Sequence, residues 1–176
     1  MLKDMRFNDN SDTSPEREQR LVRVLSRHAA AKHVPLKGEV CISITNPRQS
    51  APPLEGYTDI LRLGFHDTDR EGGNFTVMSR EHAQAVLEFG AKHKDAPLMV
   101  HCEAGASRSV GVGLFLAAWL NRPLLLTATD VLEPNPWVIN QLRAAALYRS
   151  LSQRDWRLLA CAVFGSKENL AKKTPD

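Results

Sequence analysis

His101-Cys102-Glu103-Ala104-Gly105-Ala106-Ser107-Arg108-Ser109 lies between two apolar runs, Pro97-Leu98-Met99-Val100 before it and Val110 to Trp119 after it. The first run has the compactness of a buried strand, and the second, apolar all round, has the length of a buried helix. A loop that passes from a strand into a helix N-terminus gathers several unpaired backbone N–H groups, and these join the helix dipole to make a site for an anion. Gly105 frees the loop to curl so that its amides converge. Arg108 adds a planar guanidinium able to grip two oxygens of a phosphate at once, a geometry lysine lacks. Cys102, at the head of the loop, faces the same positive groups, all of which favour thiolate over thiol. One cradle therefore binds an oxyanion and generates a nucleophile.

Working upstream, residues 57–65, with Ile60, Leu61, Leu63 and Phe65, read as a strand that runs directly into the polar loop His66-Asp67-Thr68-Asp69-Arg70-Glu71-Gly72-Gly73-Asn74. Ligands of open parallel sheets bind beyond the carboxyl ends of the strands, so Asp67 and Asp69 both sit where a proton donor for a departing oxygen is needed. Val40 to Ile44 reads as a further strand, followed by a proline-rich loop over residues 46–56. Ser14-Pro15-Glu16 predicts a helix start, with Leu21, Val24, Leu25 and His28 on one stripe up to about Lys32. Ser79 caps a second predicted helix carrying Ala83, Val86, Leu87 and Ala91. Asn135-Pro136-Trp137 opens another through about Tyr148, and a last one is expected from Ser152 to about Phe164. Strands separated by helices predict an α/β fold with a mostly parallel central sheet covered on both faces.

The bulk properties fit this reading. A chain of 176 residues, 24% charged and 43% hydrophobic, suits one globular domain. That domain is placed over residues 15–165, with polar, flexible termini expected over 1–14 and 166–176. The net charge is only +3, with acidic and basic residues interspersed, so no nucleic-acid partner is expected. There is no apolar run long enough to span a bilayer and no signal-peptide pattern, so no membrane partner is expected and the expected location is cytoplasmic. Cys41, Cys102 and Cys161 are odd in number and widely spaced, which predicts reduced thiols and neither a zinc site nor a disulfide framework. Cys41 and Cys161 read as small buried hydrophobes, with trapping of an oxidised Cys102 as the alternative.

His-Cys, five residues, Arg and Ser together resemble the signature of the protein tyrosine phosphatase superfamily, and the match is closest to its compact dual-specificity branch and its small bacterial and phage-type relatives. The resemblance covers about residues 38–150. It implies a cysteine-phosphatase fold with four or five mostly parallel strands flanked by helices, no metal, no cofactor, and a phosphocysteine intermediate at Cys102. It further implies that Glu103, Ala104, Gly105, Ala106, Ser107 and Arg108 form the phosphate loop (P-loop) and that Arg108 supports the transition state. Ser109 would ease departure of the thiolate, and His101 would orient the loop and favour the thiolate from behind. Phe65-His66-Asp67-Thr68 resembles the general-acid loop of that branch, which favours Asp67 and leaves Asp69 as the alternative acid. His66 and Asn135 are candidate pocket residues, and Asn135 reads equally well as a helix cap. The implied substrate is a phosphorylated protein or peptide: phosphotyrosine, with phosphoserine and phosphothreonine as further candidates. Competing readings are a phosphate-binding pseudophosphatase module, a phosphatase for a non-protein substrate such as RNA 5′ ends, a phosphoinositide phosphatase, and a sulfurtransferase. The last has a shorter loop, and a phosphoinositide enzyme would carry lysines where Glu103, Ala104 and Ala106 stand. Oligomeric state is not readable from the sequence.

Overall fold

Leu98–Cys102 (β4) is buried along its whole length and occupies the middle of a five-stranded sheet in the computed structural model, which describes residues 20–127 and 132–150. The other strands are β1 (Val22–Ser26), β2 (Val40–Thr45), β3 (Ile60–Gly64) and β5 (Leu124–Leu126). The order across the sheet is β3-β2-β4-β1-β5, and every pairing is parallel. A central strand of a parallel sheet is covered on both faces, which is why Leu98, Met99 and Val100 follow one another without polar alternation, His101 being the one polar side chain of β4.

Three long helices, α2 (Arg80–Lys92), α3 (Arg108–Trp119) and α4 (Pro136–Ser150), pack against one face, and the main core lies between them and the strands. Val22, Val40, Ile42, Ile44, Leu98 and Val100 meet Val86, Leu87, Val112, Leu116, Val138 and Leu142 there. The other face is covered thinly. Its smaller cluster joins Leu25, Cys41 and Met99 to Ala30 of the four-residue helix α1 (Arg27–Ala30) and to Leu54 and Tyr57 of an irregular connection. The expected cover on both faces is therefore present but unequal. β2 and β3 are parallel neighbours without a helix between them, because residues 46–59 are long enough to make the crossover as an irregular loop.

The helix expected up to Lys32 is corrected over its described part: residues 22–26 form β1, and among residues 20–32 only Arg27–Ala30 are helical, while its expected start at Ser14 lies outside the described residues. Val22 and Val24 are buried against the helices, whereas Arg23 between them is only half-buried, so the segment alternates with the period of a strand. The apparent helical stripe arose because Leu21, Val24, Leu25 and His28 also satisfy that spacing; pairing with β4 and β5 on both sides decides the conformation. β5 was not anticipated, since three leucines carry no periodicity. The predicted strands over 40–44 and 97–100 and the helices starting at Ser79 and Asn135 are present, with Ser79 accepting a capping hydrogen bond from the His82 N–H. The expected helix at Ser152–Phe164, both termini and Cys161 lie outside the described residues. Among the described residues no helix is long and apolar enough to cross a membrane.

Candidate active site

β4 ends at Cys102, α3 begins at Arg108, and residues 103–107 curl between them at the carboxyl edge of the sheet. Gly105 is indispensable to that curl. Its φ is +74°, and a Cβ there would lie 2.6 Å from the Ser26 backbone nitrogen and 2.8 Å from the Leu25 carbonyl carbon. The loop is thus seated directly on the end of β1, where only a residue without a side chain fits. Arg27 N–H donates to the Glu103 carbonyl at 3.1 Å and fastens the same junction.

Cys102 is buried, and two groups converge on its sulfur. The Gly105 N–H donates to Sγ at 3.3 Å, and the Ser109 hydroxyl lies 3.0 Å from it. Behind it, His101 is fully enclosed on the thinner face, with Nε2 2.9 Å from the Ser43 hydroxyl and Nδ1 3.4 Å from the Cys102 carbonyl oxygen. Burial pushes the His101 pKa down from 6.5 to about 4. At neutral pH the ring is therefore uncharged and brings no positive charge to Cys102.

Arg108 is only 3% exposed. One terminal nitrogen donates to the Asn46 side-chain oxygen at 3.0 Å and to the Phe65 carbonyl at 2.7 Å, which locks the guanidinium to the ends of β2 and β3. Its Nε is buried without a hydrogen-bond partner among the described residues, and its nearest counter-charge is the Asp67 carboxylate at 3.9 Å. A buried guanidinium N–H left unsatisfied costs free energy of order 1–3 kcal/mol, which an incoming oxyanion would recover. Ser107 precedes α3 without a side-chain capping bond, so its hydroxyl leaves the first-turn amides free for the same anion.

The hydroxyl of Ser107 donates instead to Asp67 Oδ1 at 2.7 Å, and the Asn135 side-chain amide donates to the same oxygen at 2.8 Å. Of the two aspartates, Asp67 is thus the one brought onto the loop's rim. Asp69 is exposed, on the wall of an adjoining cavity of about 730 Å³ that also borders Asp67, Arg70, Glu71, Phe75, Ser107 and Glu133. His66 faces other work: its Nδ1 accepts from the Thr76 N–H at 2.9 Å and its ring meets Phe75 edge-on, closing the base of the loop. Asn135 is both of the things its sequence context allowed, since its Oδ1 also accepts from the Val138 N–H at 3.1 Å as the cap of α4.

Glu103 points to the rim, where its carboxylate accepts from Gln49 at 3.1 Å and pairs with Arg27 at 3.5 Å. Ala104 and Ala106 present no functional side chain, and the Ala106 carbonyl accepts from the Glu133 N–H. Asn46 and Phe65, which hold Arg108, were not anticipated; an exposed-looking Asn-Pro loop and a strand-end carbonyl carry no sequence signal for that task. Cys41 is on the opposite face of the sheet from Cys102 and three register positions away, too distant to form a disulfide with it.

No family model matches the chain, and no curated protein matches it by sequence. Among solved structures the chain is similar to human DUSP28, at 24% identity over 74% of this chain and 95% of that one with a TM-score of 0.44. It is similar to a mouse dual specificity phosphatase complexed with zinc tungstate, at 21% identity over 78% of this chain and 91% of that one with a TM-score of 0.45. It is also similar to a human tyrosine phosphatase-like serine/threonine/tyrosine-interacting protein, at 19% identity over 63% of this chain and 78% of that one with a TM-score of 0.35.

Proposed function

We propose that this chain is a cysteine-dependent phosphatase that hydrolyses phosphotyrosine in a protein or peptide, with phosphoserine and phosphothreonine as secondary substrates. One observation carries the reading: the buried sulfur of Cys102 shares its loop with Arg108, whose enclosed Nε has no hydrogen-bond partner among the described residues, and with a helix N-terminus that has no side-chain cap. That combination suits a nucleophile poised beside an oxyanion.

In the proposed reaction the Cys102 thiolate attacks phosphorus as the P–O bond to the tyrosine breaks, while Arg108 and the loop amides hold the three equatorial oxygens. Asp67 delivers a proton to the departing oxygen, so that the phenol leaves neutral. Water then attacks the phosphocysteine, with the ionised Asp67 taking a proton from it, and inorganic phosphate departs. The sulfur leaves as thiolate, eased by the Ser109 hydroxyl 3.0 Å away.

Phosphate release from a phosphotyrosine peptide tests this, compared for the wild type, Cys102→Ser, Asp67→Ala and Asp69→Ala. Cys102→Ser is expected to be inactive, and Asp67→Ala to lose about 10²-fold or more while Asp69→Ala retains activity. Turnover by Cys102→Ser would remove the covalent mechanism; a crippled Asp69→Ala beside an intact Asp67→Ala would reassign the acid.

A further inference from the structure

We infer that Ser107 and Asn135 are positioning residues that select which oxygen of Asp67 carries the transferable proton, an inference that rests on the phosphatase reading. The two donors come from different elements and converge on one atom. The Ser107 hydroxyl belongs to the loop that holds the nucleophile, and the Asn135 amide belongs to the cap of α4; both donate to Oδ1, at 2.7 and 2.8 Å. The two residues are themselves linked, since the Asn135 N–H donates to the Ser107 carbonyl at 3.3 Å. Asn135 is fixed further by the Val138 N–H on its Oδ1 and by a contact from its amide to the Thr68 carbonyl at 3.2 Å.

Three residues thus form a closed ring of hydrogen bonds around one carboxylate oxygen, and Asn135 is 4% exposed, so the ring is not loosened by solvent on that side. An oxygen that already accepts two donors has no lone pair well placed for a proton of its own. When Asp67 is protonated, the proton must ride on Oδ2, the oxygen that lies 3.9 Å from Arg108 Nε and so faces the place where the phosphoryl group would sit. A carboxyl on an exposed loop would otherwise sample both oxygens and several rotamers, of which few aim a proton at the leaving group. The ring also ties the acid to the nucleophile's own loop, so the two move as one body.

A step that delivers a proton matters most for a poor leaving group. Phosphotyrosine releases an oxygen of pKa about 10 and needs the proton. Dinitrophenyl phosphate releases a stable anion and does not. The test is kcat/KM on both substrates for the wild type, Ser107→Ala, Asn135→Ser, the double variant and Asp67→Asn. Ser107→Ala removes no helix cap, because Ser107 makes no side-chain capping bond, and Asn135→Ser keeps a capping oxygen while withdrawing the amide.

Each single variant is expected to lose about tenfold more on the phosphotyrosine peptide than on dinitrophenyl phosphate, whatever loss the two substrates share through the phosphate loop. The double variant should approach Asp67→Asn, and either substitution should add little in an Asp67→Asn background. Losses of equal size on the two substrates, or losses that add in full to Asp67→Asn, would overturn the inference while leaving Cys102-dependent turnover in place. A wild type that turns over neither substrate, or a fully active Cys102→Ser, would remove the phosphatase reading and this inference with it.

Discussion

At the scale of the residue, the candidate site is a set of side chains whose surroundings decide what each can do. His101 is the clearest case. Enclosed by protein, its ring is held neutral, with a pKa pushed down from 6.5 to about 4. The native state therefore binds fewer protons than the unfolded chain between those values, so stability rises with pH across that interval. The contribution is complete above about pH 6.5 and is lost as the pH falls through the window towards 4. One proton corresponds to a slope of at most about 1.4 kcal/mol per pH unit, or up to about 3 kcal/mol in total. Urea unfolding measured from pH 4 to 8 should show that loss in the wild type. His101→Gln, which cannot titrate, should be less stable throughout but flatter across the same range. An unchanged pH slope in that variant would mean that some other group is responsible; His82, whose pKa burial also lowers, would be next to examine.

At the scale of the element, α3 is built to lie close to its neighbours. Its glycines are not decorative: a Cβ on Gly113 would meet Val24 Cγ2 at 2.5 Å, and one on Gly111 would meet Val138 Cγ1 at 3.2 Å. The first contact presses α3 onto β1, and the second presses it onto α4. Because Val24 is stiff at its branch point and fixed in the sheet, it cannot step aside cheaply. Gly113→Ala should cost about 1–3 kcal/mol through overpacking, and Val24→Ala should relieve part of that cost in the double variant. Chemical denaturation of the four proteins checks the coupling, which would be absent if α3 could simply slide. The same contact shows what residues 22–26 do once pairing has made them a strand: their valines are the floor on which α3 rests, a task invisible to a reading of that segment alone. Where an element declares itself through local chemistry, as α2 does through the Ser79 cap and α4 through Asn135-Pro136, its start is legible from sequence.

At the scale of the whole molecule, the carboxyl edge of the sheet gathers the ends of β2, β3 and β4 around one buried guanidinium, so occupation of the site by an oxyanion should stabilise the fold globally. Inorganic vanadate at about 100 times its Kd should add about 2.7 kcal/mol to unfolding stability, and Arg108→Lys should lose most of that increment. Equal stabilisation of both proteins, read from thermal melts, would place the anion elsewhere. The amino-acid sequence by itself determined the loop between a strand and a helix, with Cys102, Gly105, Arg108 and Ser109 in order, because a curl of consecutive residues between two apolar runs is a local construction. It also put Asp67 and Asp69 forward for the proposed acid, with His66 beside them, since all three follow one strand end. Only the tertiary structure decided between the placements of the two aspartates, tethered the capping residue Asn135 to Asp67, seated Arg108 on Asn46 and Phe65, and turned residues 22–26 into the strand beside β4. Those outcomes depend on contacts between segments 40 to 80 residues apart, and no spacing within a single segment encodes them.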